Sequence, residues 1–425
     1  MKKILVFLLL FSSLNATSQD IIDIQTCYKL AEENYPALDQ KALYKEITSL
    51  ELDNLTARYY PQINLIGQAT YQSDVTKLDM QIPIPDLNIN FPEIDKDQYR
   101  IGITIDQILW DGGIVSNQKK ISELDGYYNI QNTRVELYNL RKRVNESYFG
   151  ILKLQESIKI LETALDVMNS KYNQISTAVD NGMVLQSNAD IIKAEVLITE
   201  QNLDLIKSSR EIAVKSLSML INKDIKEIEL VLPEVDAKLN DTRERPEYEL
   251  FKISKDQVGQ MKELANSKYL PKFFAYGQAM YGKPGLNMFD SDFQPFYIVG
   301  IKASWNFWNW GITNREKEIA EIQLNILNTK EDTFTKNLSI ANNALFNEID
   351  KHQKMIDKDN EIINLRESIL RISSSQLDNG VITSTEYLTE LNALIKAQLS
   401  YQLHKIEISE AKVNYLTQIN DEFCK

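Results

Sequence analysis

Four short stretches of this 425-residue chain alternate apolar and polar side chains with a period of two. Ile63, Leu65, Gly67, Ala69 and Tyr71 alternate with Gln62, Asn64, Gln68 and Thr70, and Tyr99, Ile101, Ile103 and Ile105 with Arg100, Gly102, Thr104 and Asp106. Further along, Phe273, Ala275, Gly277, Ala279 and Tyr281 share one parity, as do Tyr297, Val299, Ile301, Ala303, Trp305 and Phe307. Period two over roughly 9 to 11 residues with aromatic ends predicts strands with one face in lipid and one in water. A soluble β-sandwich shows the same alternation, so the strands alone decide nothing.

The period changes from two to seven after each strand pair. Leu137, Val144, Ile151, Ile158, Leu165 and Tyr172 fall at one position of a heptad, and Leu140, Ser147, Leu154, Leu161, Met168 and Ile175 at another. A seam held this long predicts coiled-coil packing. No proline lies between Gly113 and Val179, so one helix of roughly 100 Å is expected there, at about 1.5 Å per residue. Residues 312–377 offer a second rod. Asp180-Asn181-Gly182 and Asp378-Asn379-Gly380 predict helix stops, because Asn and Gly tolerate the left-handed conformation. Helical sequence resumes after Ser187 and after Thr383 or Ser384, which are candidate N-caps. Each rod is therefore half of an antiparallel helical hairpin with a tight tip.

The chain repeats itself. Pro36 matches Pro246, Pro61 matches Pro271 and Gly67 matches Gly277 at an offset of 210; later Gly102 matches Gly300, Trp110 matches Trp308 and Gly182 matches Gly380 at an offset of 198. A connection 12 residues shorter between Tyr281 and Tyr297 accounts for the change. The unit, used twice, reads helix, strand, loop, strand, long helix, turn, long helix, with a period too long for a solenoid. Each chain thus has only four strands. In a bilayer such a sheet leaves two edges unpaired, at several kcal/mol per unsatisfied backbone group, so closure needs other copies. Two copies make eight strands and a filled interior, whereas three make twelve and an open lumen; a conduit favours three.

The chain must turn sharply from strand into helix at Trp110-Asp111-Gly112-Gly113 and at Trp308-Asn309-Trp310-Gly311, and the glycines permit it. All four tryptophans, Trp110, Trp305, Trp308 and Trp310, lie at these two junctions. Amphipathic rings suit a membrane-water boundary; packing between strand and helix is the other reading.

Composition narrows the class. Only 14 Gly and 10 Pro in so long a chain leave room for long helices. Met1-Lys2-Lys3, the apolar run from Ile4 to Phe11 and the small residues before Gln19 read as a secretory signal, residues 1–18. Removing its two lysines takes the formal charge from −13 to −15, which offers nucleic acid no electrostatic footprint. No later apolar run reaches the roughly 18 residues of a transmembrane helix. Cys27 and Cys424 either pair or remain two buried thiols. The two histidines, His352 and His404, belong to no recognised metal motif, and there is no CxxC pair, phosphate-binding glycine loop or nucleophile elbow. No enzyme, cofactor or metal is expected.

The aromatic-Asp-Gly-Gly junction, the Tyr-x-Pro before each first strand (Tyr59 to Pro61, Tyr269 to Pro271), the duplication and the second tip NGVITSTEYLTELNA together resemble the TolC-like outer-membrane factor (outer membrane efflux protein) family over nearly the whole chain. Members usually carry proline three residues before the junction aspartate, where this chain has Ile108 and Asn306. The resemblance implies a mainly α chain with membrane β: a trimeric, twelve-stranded outer-membrane barrel continued by a periplasmic α-helical coiled-coil barrel. It implies an exit duct for an efflux pump or a type I secretion system in a Gram-negative outer membrane. Its partners would be two further copies of itself, a periplasmic adaptor, an inner-membrane transporter and outer-membrane lipid. A periplasmic coiled-coil scaffold or adaptor without a barrel is the competing reading.

The expected segments are a periplasmic helix at 19–57, strands and an extracellular loop at 58–110, a helical hairpin at 111–221 and a linker at 222–243. The second unit has a helix at 244–267, strands at 268–308, and a hairpin with the C-terminal segment at 309–425. Glu386 and Glu390 share a helix face; in a trimer they would ring the periplasmic mouth as a cation-selective gate, or simply form a solvated acidic face. In similar proteins two acidic residues three apart occupy this region; Glu386 falls on the first, Thr389 on the second. The resemblance makes Asn181, Gly182, Met183, Val184, Asn379, Gly380, Val381 and Ile382 the adaptor-docking tips.

Overall fold

A computed structural model describes residues 22–76, 95–226, 228–235 and 245–419. The predicted signal peptide and Cys424 lie outside these. The elements run α1 (Ile24–Asn34), α2 (Ala37–Ala57), β1 (Gln62–Tyr71), β2 (Asp97–Trp110), α3 (Ile114–Asp180) and α4 (Gln186–Ile221). Then come α5 (Pro246–Lys268), β3 (Lys272–Lys283), β4 (Gln294–Ser304), α6 (Ile312–Asp378) and α7 (Ser384–Ile419). Every bound of α3 and α4 recurs in α6 and α7 at the offset of 198 read from the sequence. The long helices are 67 residues each and the return helices 36 each.

The stretch 19–57, expected as one helix, contains two. Pro36 parts them, because proline has no N–H to donate and disfavours helical geometry in the residue before it; Tyr35 is accordingly extended. β4 also stops at Ser304, short of Trp305 and Phe307. Its partner β3 starts only after Pro271, and their ladder begins with Lys272 opposite Ser304.

The chain divides into two compact units. One contains the sheet, with Asp39–Thr133 and Glu247–Thr333. Its strands pair antiparallel in the order β1-β2-β3-β4, leaving β1 and β4 as edges. The register puts like with like: Leu65 faces Ile103, Ile103 faces Ala279, and Ala279 faces Tyr297. The next row joins Ile63, Ile105, Gly277 and Val299. One face is thus apolar across all four strands. The opposite face carries Gln62, Asp106, Tyr276 and Gly300 in one row and Gln68, Arg100, Gly282 and Gln294 in another.

The other unit spans Met1–Leu38, Arg134–Pro246 and Phe334–Lys425. Its main core packs α1 against Val144, Tyr148, Phe149, Ile151 and Leu152 of α3, with Leu217 and Ile221 of α4 and Ile225 and Leu230 beyond it. The Tyr148 hydroxyl shares its one proton between the carbonyls of Val231 (2.8 Å) and Ile22 (3.1 Å), satisfying a phenol buried among apolar side chains. Within the seam, Leu137, Leu140, Val144, Ile151, Leu165, Met168 and Ile175 are buried. Tyr148, Phe149 and Leu152, off the heptad, are buried as well. There the helix is covered on a second side by α1 and the segment after α4. Cys27 is a fully buried thiol whose pKa is pushed up to about 12 by burial.

Candidate functional site

At the first strand–helix junction, β2 slips register between Ile108 and Trp110 and the chain then turns. Gly112 and Gly113 adopt φ of +75° and +87°. A Cβ on Gly112 would sit 2.8 Å from both Leu270 Cβ and the Ser267 carbonyl, so the position is closed to side chains on steric grounds as well. Asp111 organises the turn. Only 5 % exposed, it accepts from Gly113 N–H (2.9 Å) and the Tyr59 hydroxyl (3.0 Å) through Oδ1, and from Val115 N–H (2.7 Å) through Oδ2. The carboxylate thereby supplies partners to otherwise orphaned donors at the start of α3 and favours its positive dipole end. Tyr59, the tyrosine of the first Tyr-x-Pro, is part of this device, a role sequence reading did not assign.

The second junction solves the same problem differently. Trp310, counterpart of Gly112, has φ of 55° and Gly311 has +75°. A non-glycine residue in this region costs about 1–2 kcal/mol. Asn309, counterpart of Asp111, donates from Nδ2 to Thr313 Oγ1 at 2.7 Å. Thr313 stands where the first junction has Val115. Tyr269, counterpart of Tyr59, donates to the Phe307 carbonyl at 2.9 Å, and Trp305 Nε1 donates to the Tyr269 carbonyl at 3.0 Å. All four tryptophans are exposed, Trp310 by 78 %, and none belongs to an apolar core cluster of the described residues.

Both hairpin tips end α3 and α6 with the same backbone hydrogen bonds. Gly182, at φ +72°, donates to the Val179 carbonyl (2.8 Å) while Met183 donates to Ala178 (2.9 Å). Gly380, at φ +72°, donates to Leu377 (3.0 Å) while Val381 donates to Gln376 (2.8 Å). This pairing of a left-handed glycine with crossed bonds satisfies the last helical carbonyls. Asn181, Gly182 and Met183 are exposed, as are Asn379, Gly380 and Val381. Val184 and Ile382 instead pack against the core formed by Met168, Ile192, Val196, Leu388 and Leu391. The eight tip residues therefore split into six that face outward and two that anchor.

Ser187 is not an N-cap: α4 begins at Gln186, with Leu185 at the cap position and no side-chain cap bond. α7 is capped by Thr383. The Thr383 Oγ1 accepts from Glu386 N–H (3.2 Å), and Glu386 Oε2 accepts from Thr383 N–H (2.8 Å) and its hydroxyl (3.0 Å). This is a reciprocal capping box. The backbone N–H and the hydroxyl of Thr383 together hold the Glu386 carboxyl below its ordinary pKa. Glu390 is paired with Arg366 at 2.8 Å. The two carboxylates sit one helical turn apart, one engaged in the cap and the other in an ion pair.

Residues 27–223 match the family model described as outer membrane efflux protein. Just under half of the chain is therefore similar to outer membrane efflux proteins. The matched segment is the first repeat unit, and the structure shows the same unit again at the offset of 198. Over both units the fold is that of solved outer-membrane channels. VceC from Vibrio cholerae superposes with a TM-score of 0.68 at 14% identity, covering 94% of this chain and 97% of VceC. The open-state MtrE channel of Neisseria gonorrhoeae gives 0.68 at 14%, covering 94% and 89%. The CmeC channel of Campylobacter jejuni gives 0.65 at 13%, covering 93% and 85%. No curated protein matches by sequence. Among the described residues, no helix is long and apolar enough to cross a membrane.

Proposed function

We infer that this protein is an outer-membrane channel of the outer membrane efflux protein family, not an enzyme, through which substrates leave the periplasm. The observation that carries this is the sheet: an exposed apolar face, Leu65 at 76 % and Val299 at 74 %, on four strands with two unpaired edges. An apolar surface of this kind is stable against hydrocarbon and a liability in water. Closure by three copies gives twelve strands, with the row of Gln68, Arg100 and Gln294 toward an aqueous lumen.

Outer membrane efflux channels are homotrimers that work with adaptor proteins and inner-membrane pumps. For this chain the six outward tip residues form the adaptor-docking surface, since they are the exposed part of both hairpin ends. Glu386 and Glu390, repeated around a threefold axis, make the mouth anionic and favour cations. Glu386 brings a carboxylate held ionised by its cap, and Glu390 one balanced by Arg366.

The test is purification of the mature protein from membranes in detergent, followed by planar-bilayer recording. A trimer that forms cation-selective pores, with selectivity reduced in the Glu386→Gln/Glu390→Gln double variant, is the expected result. A water-soluble monomer without conductance would overturn the channel reading and favour a periplasmic scaffold. Pores with unchanged selectivity in the double variant would overturn the gate alone.

A further inference from the structure

The protein has two histidines, and the fold brings them together. His352 of α6 and His404 of α7 lie with ring centroids 5.6 Å apart. Glu407, one turn from His404 on α7, places Oε2 3.2 Å from His352 Nδ1. One ligand atom from each of His352, His404 and Glu407 lies within 4.8 Å of the others. Asp359, two turns beyond His352 on α6, holds His404 through Nδ1 at 2.6 Å. With Nδ1 engaged by Asp359, Nε2 is the ring nitrogen that His404 can offer to a ligand. His352 is buried, and its Nδ1 receives no hydrogen bond of acceptable geometry from any described residue.

Packing does not require these groups. At the offset of 198 the first hairpin has Leu154 for His352, Leu161 for Asp359, Ile206 for His404 and Ser209 for Glu407. The same scaffold position is therefore filled by three aliphatic side chains in one repeat and by four titratable ones in the other. Burying ionisable groups is costly even when each imidazole has a carboxylate beside it, so their concentration at a position that aliphatic side chains fill in the first repeat points to a ligand.

We propose that His352, His404 and Glu407 form a site for a first-row divalent transition-metal ion of the Zn²⁺ type, with Asp359 orienting His404. Two imidazoles and a carboxylate suit borderline ions and discriminate against Ca²⁺ and Mg²⁺, which prefer oxygen donors. Metal–ligand bonds of about 2.0–2.1 Å put tetrahedral ligand atoms roughly 3.4 Å apart, so side-chain rotations closing the present spacing by about 1–1.5 Å complete the site. A carboxylate on the far nitrogen of a metal-binding histidine fixes its tautomer and raises its basicity. The bound ion would tie α6 to α7 across the second hairpin. The inference does not depend on channel activity.

The test uses the full mature protein, free of any polyhistidine tag, stripped with chelator and titrated with Co²⁺ and then Zn²⁺. Expected are visible ligand-field bands saturating at one Co²⁺ per chain, their displacement by Zn²⁺, and a rise in melting temperature with Zn²⁺. His352→Leu and His404→Ile install the side chains the first hairpin already accommodates. Each should retain the fold, judged by circular dichroism, and weaken binding at least 100-fold; Asp359→Asn should weaken it about 10- to 100-fold. Absence of Co²⁺ bands in the folded wild-type protein, or undiminished binding by the folded double variant, would overturn the site.

Discussion

Asp111 and Asn309 occupy equivalent places, yet their hydrogen-bond chemistry is opposite. Both Asp111 oxygens accept, and Oδ2 meets the Val115 N–H. Asn309 turns a donor toward the same place, where Thr313 Oγ1 accepts it. Asp111→Asn should therefore set Nδ2 against the Val115 N–H, leaving a buried donor unsatisfied at about 1–3 kcal/mol. Adding Val115→Thr supplies the acceptor that the second junction uses and should recover part of the loss. Thermal unfolding of both variants in detergent checks this, and a double variant no more stable than Asp111→Asn would show that the junctions are not interchangeable. The Asp-Gly-Gly motif was legible as a turn; that a tyrosine 52 positions earlier completes its hydrogen bonds was not, because two strands and their connection lie between Tyr59 and Asp111.

At the scale of single elements, the capping box of α7 links local sequence to pH. Thr383→Ala removes the cap and should destabilise the start of α7 by about 1 kcal/mol, read as faster amide exchange confined to its first turn. The Glu386 carboxyl is depressed in the folded state. Its contribution is therefore whole at neutral pH and is lost as pH falls through and below about pH 4. Protection factors at that turn, with exchange corrected for its intrinsic pH dependence, should fall on acidification in the wild type and much less in Glu386→Gln. The tips belong to this scale as well. Met183, 71 % exposed, and Val381, 68 % exposed, carry no core packing. Met183→Asp and Val381→Asp should leave trimer stability within about 0.5 kcal/mol while abolishing co-purification with the cognate adaptor; retained co-purification would move the docking surface elsewhere.

The whole molecule is governed by its sheet faces and edges. Leu65→Arg sets a charge on the apolar face and should cost about 2–4 kcal/mol at mid-membrane depth, seen as less heat-resistant trimer in outer-membrane fractions. Gln68→Arg points to the opposite face and should leave trimer yield near wild type. Equal losses in the two variants would mean that the faces are misassigned.

Much of this architecture was legible because its signals are short-ranged and repeated. Period-two and period-seven patterns, the Asn-Gly helix stops and the offset of 198 state which elements form, since each depends on residues within one strand, turn or helix face. The lengths of α3 and α6 follow from the absence of proline inside them. Pro36 was equally local, and its division of the first helical stretch should have been read from the chain.

Only the tertiary structure decided which distant residues meet. The order β1-β2-β3-β4 pairs β2 with β3 across more than 160 residues of sequence, and that pairing alone makes the apolar rows continuous. Tyr148 is buried off the heptad because α1 and the segment after α4 cover a second side of α3. His352 and His404 are 52 positions apart and become neighbours only when α6 and α7 fold back on one another. Local periodicity sets an element because backbone geometry repeats every two or 3.6 residues, whereas a site assembled from separate elements exists only after their packing brings its side chains within reach.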